Sequence, residues 1–179
     1  IVPASASVHP TDFVQFRVVA SLNNGTSAPF DEDLHWSSSD DEVVRVRADG
    51  QAMARRTGHA YIKVAWGGRD ENGRAAVVNA EAMVIVPTIK AIAIEPAEPE
   101  LWLDQEFRLK AIGIYSDQSR REVARVEWRS ANRDIAGADP SGLAIGRALG
   151  KTSISAALKD NPSIVGTTTL RVKQPPLQD

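Results

Sequence analysis

The chain has 179 residues, of which 42% are hydrophobic and 25% charged, and its formal net charge is −2. This composition is that of a globular protein, and it is not basic enough to follow a nucleic-acid backbone. The chain has no cysteine and no apolar run near the roughly 20 residues of a membrane-spanning helix, which excludes disulfides, thiolate metal sites and membrane insertion.

Short β-strands separated by turns are predicted along the whole chain. Residues 79–86 form one strand, although their first half has helical propensity, and apolar residues alternate with others in Ile92–Ile94 and in 107–114. The turn signals are Asn24-Gly25, Asp49-Gly50, Asn72-Gly73, Asp139–Gly142 and Asp160–Pro162. About seven short strands in each half, with no amphipathic helix, predict a sandwich or barrel.

The two halves of the chain repeat one pattern. Residues 36–43 match residues 128–135 at an offset of 92, and residues 16–20 are matched to residues 107–111 at an offset of 91. At the offset of 92 the further matched pairs are Gly50 with Gly142, Gly58 with Gly150, and Ile62 with Ile154. Residues 81–86 correspond to 167–172, which leaves about six extra residues in the first half, predicted as a longer loop around Gly67–Gly73. A period this long indicates duplicated domains, since solenoid repeats span roughly 20–50 residues.

The four tryptophans divide into two kinds. Trp36 and Trp128 occupy matching places in the repeat and are predicted to be the core tryptophan of each half. Trp66 and Trp102 have no counterpart, so they are the candidates for exposed or interface positions, with core packing as the alternative. If one half has acquired a specific contact, Trp66 and the Gly67–Gly73 segment are the place where we expect it.

The second half resembles the bacterial immunoglobulin-like group 2 domain family (Big2) of invasin- and intimin-type surface proteins. The resemblance is carried by Ile92–Pro96, Leu103–Ala111, Val126–Ala136, Gly142–Ile145 and Gly150–Ala156. The first half resembles it more loosely, through residues 34–40, 50–53 and 58–64, and its first strand looks truncated. The resemblance implies an all-β fold of two tandem immunoglobulin-like β-sandwich domains. It specifies a fold and no chemistry.

The expected domains are residues 1–87 and 88–174, followed by a tail or linker at 175–179. The junction at residues 84–90 has no Gly/Ser-rich stretch, which favours a semi-rigid, end-to-end arrangement. The paired prolines Pro175 and Pro176 cannot continue a sheet. The start at Ile1, without Met or a signal peptide, is typical of a processed protein or an excised fragment.

No residue is predicted to be catalytic, to bind a cofactor or to bind a metal. The histidines His9, His35 and His59 lack the spacing of a metal pair, and His35 is expected to face solvent because its neighbour Trp36 faces the core. Acidic clusters occur at 31–33, 40–42, 70–71 and at Glu95, Glu98 and Glu100, where calcium binding near the domain junction is the alternative to solvated charge. Arg55-Arg56 and Arg120-Arg121 are interpreted as edge or loop charges, and Asn24–Thr26 as a hairpin turn rather than a glycosylation site.

These patterns favour a non-catalytic structural and adhesive module of a bacterial extracellular or cell-surface protein, acting as a semi-rigid stalk or binding segment. Its expected partners are neighbouring domains of a larger chain or assembly and a protein or carbohydrate surface, with no nucleic acid. The alternative is a phage virion decoration or tail protein that uses such domains for surface attachment. An enzyme is the third hypothesis, and the lack of any acid–base pair argues against it.

Overall fold

The computed structural model describes residues 1–21, 25–69 and 72–176, and these residues form strands and turns without a helix. The chain divides into two compact units, Ile1–Thr88 and Ile89–Asp179, which are described separately below. Within the described ranges there is no helical segment of the length and apolarity needed to span a membrane. Each unit is an immunoglobulin-like β-sandwich.

The first unit consists of short strands and one long hairpin. Its strands are β1 (Ser5–Ser7), β2 (Phe13–Gln15), β3 (Val18–Ser21), β4 (Ser27–Phe30), β5 (Leu34–Ser38), β6 (Val44–Val46), β7 (Gln51–Ala54), β8 (Gly58–Arg69) and β9 (Ala75–Val86). One sheet has the order β1-β9-β8-β5, with β1 parallel to β9, and a second has the order β2-β7-β6. The β3–β4 hairpin completes the unit, and a single bridge joins Val2 to Arg17 just before β3.

The second unit repeats this arrangement. Its strands are β10 (Ile89–Glu95), β11 (Glu100–Trp102), β12 (Glu106–Arg108), β13 (Lys110–Tyr115), β14 (Arg120–Glu122), β15 (Val126–Ser130), β16 (Ala136–Ala138), β17 (Leu143–Gly146), β18 (Gly150–Leu158) and β19 (Asn161–Lys173). The sheets have the orders β11-β19-β18-β15 and β12-β17-β16, and β11 is parallel to β19. The third sheet, β10-β13-β14, corresponds to the β3–β4 hairpin with one strand added.

Alternation along the paired strands forms both cores. In the first unit Ile62 of β8 and Val84 of β9 are fully buried, as are Ile154 of β18 and Leu170 of β19 in the second. Each such side chain contributes about 1.5–3 kcal/mol through removal of apolar surface from water. The sandwich is therefore held by inward-facing aliphatic residues, and the outward residues of the same strands are available to solvent.

Two glycines show that the repeat extends to atomic contacts. A Cβ on Gly50 would lie 2.6 Å from the carbonyl oxygen of Phe16, and one on Gly142 would lie 2.5 Å from that of Leu109. Each glycine also lies against the ring of its own unit's tryptophan, Trp36 or Trp128. Both have positive φ, 78° and 85°, so close approach and backbone conformation together require glycine there.

The predicted match of residues 16–20 with 107–111 is wrong by two residues. The backbone N–H of Phe16 donates to the carbonyl of Gly50, and the N–H of Leu109 donates to that of Gly142, so Phe16 corresponds to Leu109 at an offset of 93. The predicted strand 107–114 is also divided, because the chain leaves the β12 sheet at Leu109 and enters the β13 sheet. The two pieces pair with strands of different sheets. The alternation of apolar residues continues across the break, so it does not indicate this change of partner.

The extra residues of the first unit extend strands rather than a loop. Gly67, Gly68 and Arg69 belong to β8 and pair with Val77, Ala76 and Ala75 of β9. The predicted Gly67–Gly73 loop is therefore wrong for its first three residues, whereas Asn72 and Gly73 lie in a turn and a bend. Residues 79–86 lie within β9, as predicted.

Candidate functional site

The three histidines do not form a metal site. His9 is buried, 8% exposed, whereas His35 and His59 are exposed on the sheet surface. The solvent-facing position predicted for His35 is confirmed, since Trp36 beside it packs against the core. Throughout the described part of the chain, no three or more His, Asp or Glu side chains lie close enough together to hold a metal ion.

Carboxylates of the predicted acidic clusters are engaged by neighbouring groups. Asp40 accepts hydrogen bonds from the backbone N–H groups of Glu42 and Val43, at 2.9 and 3.3 Å, which closes a turn. Glu42 lies 3.5 Å from Arg55 and 3.7 Å from Arg56. The Arg55-Arg56 pair thus follows β7, where it neutralises this turn.

Two of the three carboxylates considered for calcium, Glu95 and Glu100, have cationic partners. Glu95 accepts a hydrogen bond from Arg120 at 2.9 Å, and Glu100 pairs with Lys173 and, at 3.7 Å, with Arg171. The hydrogen bond from Lys173 holds the pKa of Glu100 below its usual range. A calcium ion at these carboxylates would have to displace lysine and arginine. Asp70 and Glu71 lie outside the described residues, as does Asn24 of the sequon.

The tryptophans follow the predicted division in part. Trp128 is 8% exposed within the second core, which confirms its predicted role, and Trp36 is half-buried against the first core, 6.5 Å from the ring of Phe16. Trp102 is 43% exposed, which is the first of the two alternatives left open for it. Trp66 is half-buried and makes an edge-on contact with Phe30, with ring centroids 5.7 Å apart.

Trp66 lines an apolar groove of about 360 Å³ in the first unit, between the β3–β4 hairpin and the extended β8–β9 hairpin. Its walls include Val18, Phe30, Leu34 and Val78, and no charged side chain lines it among the residues described. Trp66 stands out in the sequence as an unmatched tryptophan, whereas Phe30 and Val78 were not predicted to be functional. The apolar run at residues 75–78, next to the six extra residues, is the sequence feature that could have indicated a role for Val78.

The strand edge beside this groove is open. Apart from the bridge of Val2 with Arg17, β3 pairs only with β4 among the described strands. In the second unit, β10 occupies the equivalent edge, where Ile92 and Ile94 pair with Gly113 and Ala111 of β13. Val77 and Val78 are accordingly 71% and 58% exposed. The described residues that line this groove include no acid–base pair.

Comparison with known proteins supports the family for the second unit. Residues 88–168 match the family described as the bacterial Ig-like domain (group 2). Over 173 residues the chain is 30% identical to "Ice-binding protein 1" of Shewanella frigidimarina (strain NCIMB 400). That match includes 96% of this chain and 19% of the relative, so the chain spans about a fifth of the relative's length.

Solved structures with a similar arrangement share little sequence. Domains 4–9 of the surface layer protein SbsC match 90% of this chain with 25% of their own length, at 16% identity and a TM-score of 0.49. Drosophila N-cadherin EC1-4 matches 97% of this chain with 47% of its own length, at 11% identity and a TM-score of 0.41.

Proposed function

We propose that this chain is a non-catalytic structural and adhesive module of a bacterial extracellular or cell-surface protein, acting as a stalk or binding segment. One observation carries the proposal: the chain builds the same sandwich twice, around equivalent tryptophan and glycine contacts. Repetition of one fold supplies length and surface, whereas an active site needs a set of convergent groups. The engaged carboxylates and separated histidines described above favour the same conclusion.

The first unit is proposed to be a divergent copy of the group 2 domain that the second unit matches. The support is its strand order and the paired contacts of Gly50 and Gly142. The proposed domain boundaries remain 1–87 and 88–174, with a tail at 175–179. Two residues, Pro87 and Thr88, separate β9 from β10, and so short a connection is consistent with a semi-rigid stalk.

A location at the cell surface is proposed on the family match and on the relative's length. Modules that repeat along a longer chain suit a protein that extends from a cell. The proposed partners are neighbouring domains of the same polypeptide and a protein or carbohydrate surface. The virion alternative has no support from the proteins described above.

Labelling of intact cells tests this function. An antibody raised against the purified chain would be applied to intact and to lysed cells of the source organism, with a cytoplasmic protein probed in parallel as the control for lysis. We expect labelling of intact cells that surface proteolysis removes. Labelling only after lysis would refute the surface location, and labelling of phage particles instead would establish the virion alternative.

A further inference from the structure

A second groove lies on the open side of the second unit, between β15, the edge strand of one sheet, and β16, the edge strand of the other. It encloses about 490 Å³ and extends down to the buried Trp128, with Leu143 and Pro140 also in its wall. Trp128 and Val126 of this lining belong to the core, whereas Leu143 is half-buried and Pro140 is exposed. The groove therefore has a fixed shape set by the sandwich itself.

Three cations line this groove: Arg133, Arg147 and Lys159. All three are exposed, and within the described ranges none of these side chains makes an ion pair or a hydrogen bond. They come from three separate segments of the chain, which the fold brings to one opening. We call this feature, defined by Arg133, Arg147, Lys159 and the Trp128 floor, the basic groove.

The two carboxylates of the groove already have partners of their own. Glu127 accepts hydrogen bonds from Arg129 at 2.9 and 3.0 Å. Asp139 accepts from the Ser141 hydroxyl at 2.7 Å and from two backbone N–H groups at 2.8 and 2.9 Å. The hydroxyl of Ser141 holds the pKa of Asp139 below its usual range, so this carboxylate is committed to its turn. Glu127 is thus offset by Arg129, whereas Asp139 keeps its negative charge, so the three cations exceed the acids of the groove by two charges, three minus one.

The same place in the first unit carries a different set of charges, because at the repeat offset of 92 Arg45 and Arg47 stand where the second unit has Gly137 and Asp139. Arg55 corresponds to Arg147, since each donates its backbone N–H to the preceding strand's carbonyl, of Val43 and Ile135, at 2.8 Å. Arg55 lies 3.5 Å from Glu42, however, and donates to the carbonyl of Asp41 at 3.1 Å. At the repeat offset of 92, Asp41 stands where the second unit has Arg133. The two copies therefore arrange their charges differently here: Arg55 of the first unit is paired with Glu42, whereas Arg147 of the second has no acidic partner among the described residues.

We propose that the basic groove binds an acidic polysaccharide, a sugar chain that carries carboxylates at regular intervals. Guanidinium groups pair with carboxylates in a bidentate geometry, and the apolar side chains of Leu143 and Pro140 can contact the faces of sugar rings. Nucleic acid fits less well, because residues 88–179 hold 13 Lys/Arg against 12 Asp/Glu and lack a continuous basic track. As a binding role the inference rests on the proposed adhesive function, for which it names the partner.

Binding at this groove is electrostatic and exposed, so it is weak for one site and sensitive to salt. A polymer that meets many copies of the module on one surface gains avidity from the repetition. The purified chain is therefore best tested against a polymeric ligand. The property to measure is how the ligand's charge, rather than its sugar backbone, controls binding.

The experiment is affinity electrophoresis of the complete chain through gels that contain polygalacturonate or its methyl ester. The two polymers have the same sugar backbone, and only the first is charged. We expect retardation by polygalacturonate alone, and about tenfold weaker retardation for Arg133→Gln/Arg147→Gln/Lys159→Gln, the scale for three exposed charge pairs. The matched control, Arg55→Gln/Arg56→Gln, alters the paired cations of the first unit and is expected to keep the wild-type retardation.

Four results of this electrophoresis with the two polymers would overturn the proposal. They are no retardation of the wild-type chain, equal retardation by the methyl ester, a triple variant that migrates as the wild type does, and equal loss in the control variant. A DNA oligomer could also be placed in the gel. If it retarded the chain with the same dependence on the three cations, the groove would bind polyanions in general, and this result would also contradict the proposal. The variants change exposed residues, and their thermal midpoints check that the fold is kept. The electrophoresis uses purified protein and the surface labelling uses cells, so the two results are independent. Failure of polysaccharide binding would not affect the proposed surface location, and failure of the surface labelling would not affect the binding result.

Discussion

Replacing Gly50 with alanine tests the closest contact of the first unit. Gly50 has φ of 78°, and an added Cβ would lie 2.6 Å from the Phe16 carbonyl oxygen and 3.0 Å from the Trp36 ring. The obstacle nearest to the new atom is backbone, which cannot rotate away as the end of a flexible side chain can. Phe16 is itself 1% exposed, so any shift is transmitted to the core.

The expected cost has two parts. A left-handed backbone costs alanine roughly 1–2 kcal/mol relative to glycine. Forcing an extra carbon into a packed site costs about 1–3 kcal/mol more. Gly50→Ala should therefore lower the free energy of unfolding by about 2–5 kcal/mol. Gly73 is the matched control, because its φ is 74° but nothing lies within 4 Å of the added Cβ, so only the backbone part applies.

Urea denaturation followed by far-ultraviolet circular dichroism and tryptophan fluorescence measures both variants. The transition that Gly50→Ala moves identifies the first unit, and Gly73→Ala should move the same transition by about 1–2 kcal/mol. If Gly50→Ala were no more destabilising than Gly73→Ala, the close approach of Gly50 to Phe16 and Trp36 would be wrong.

Three further predictions address the second unit and the acidic residues. Trp128→Ala removes the buried indole and should cost the second unit about 3–5 kcal/mol in a denaturant melt, and a change below about 1 kcal/mol would show that Trp128 is not core. The pKa of Asp139 should lie below the ordinary aspartate range in a carboxyl-carbon NMR titration, because the charged carboxylate accepts a hydrogen bond from Ser141. The stability that this carboxylate contributes is then present above the unfolded-state pKa and is lost as pH falls through the folded-state pKa. A titration midpoint at or above the ordinary range would contradict this prediction. Calcium or a chelator should leave the thermal midpoint unchanged, because Glu95 and Glu100 are paired with Arg120 and Lys173, and a rise with calcium would restore the calcium hypothesis.

The spacing of turn residues and of the repeated motifs was sufficient to predict the fold class and the main matched positions of the repeat. Trp128 and the matched glycines could be found because a buried aromatic and a positive-φ turn each require particular residue types. The edge position of Arg120-Arg121 was also predictable, and both residues lie on β14 at the edge of its sheet. Such features depend on local chemistry, which a single sequence displays.

The errors arose where the outcome depends on partners distant in sequence. The division of 107–114 at Leu109 reflects a change of sheet, and alternation alone does not reveal which sheet a residue joins. Residues 67–69 were predicted as loop because glycine is common in turns, yet pairing across the hairpin makes them strand. The basic groove was missed for a similar reason, since the charges of Arg133, Arg147 and Lys159 matter only after folding places them together without acidic partners.

Single-molecule force spectroscopy tests the central claim, that two immunoglobulin-like sandwiches form a structural module in which each unit folds by itself. The complete chain would be held between handles and pulled at constant speed. Units of 88 and 91 residues should give two separate unfolding events per chain. Each event should release roughly 250–300 Å of extended chain, from about 3.3–3.6 Å per residue less the folded span. A single event of about twice that length, or extension without a force peak, would contradict the account.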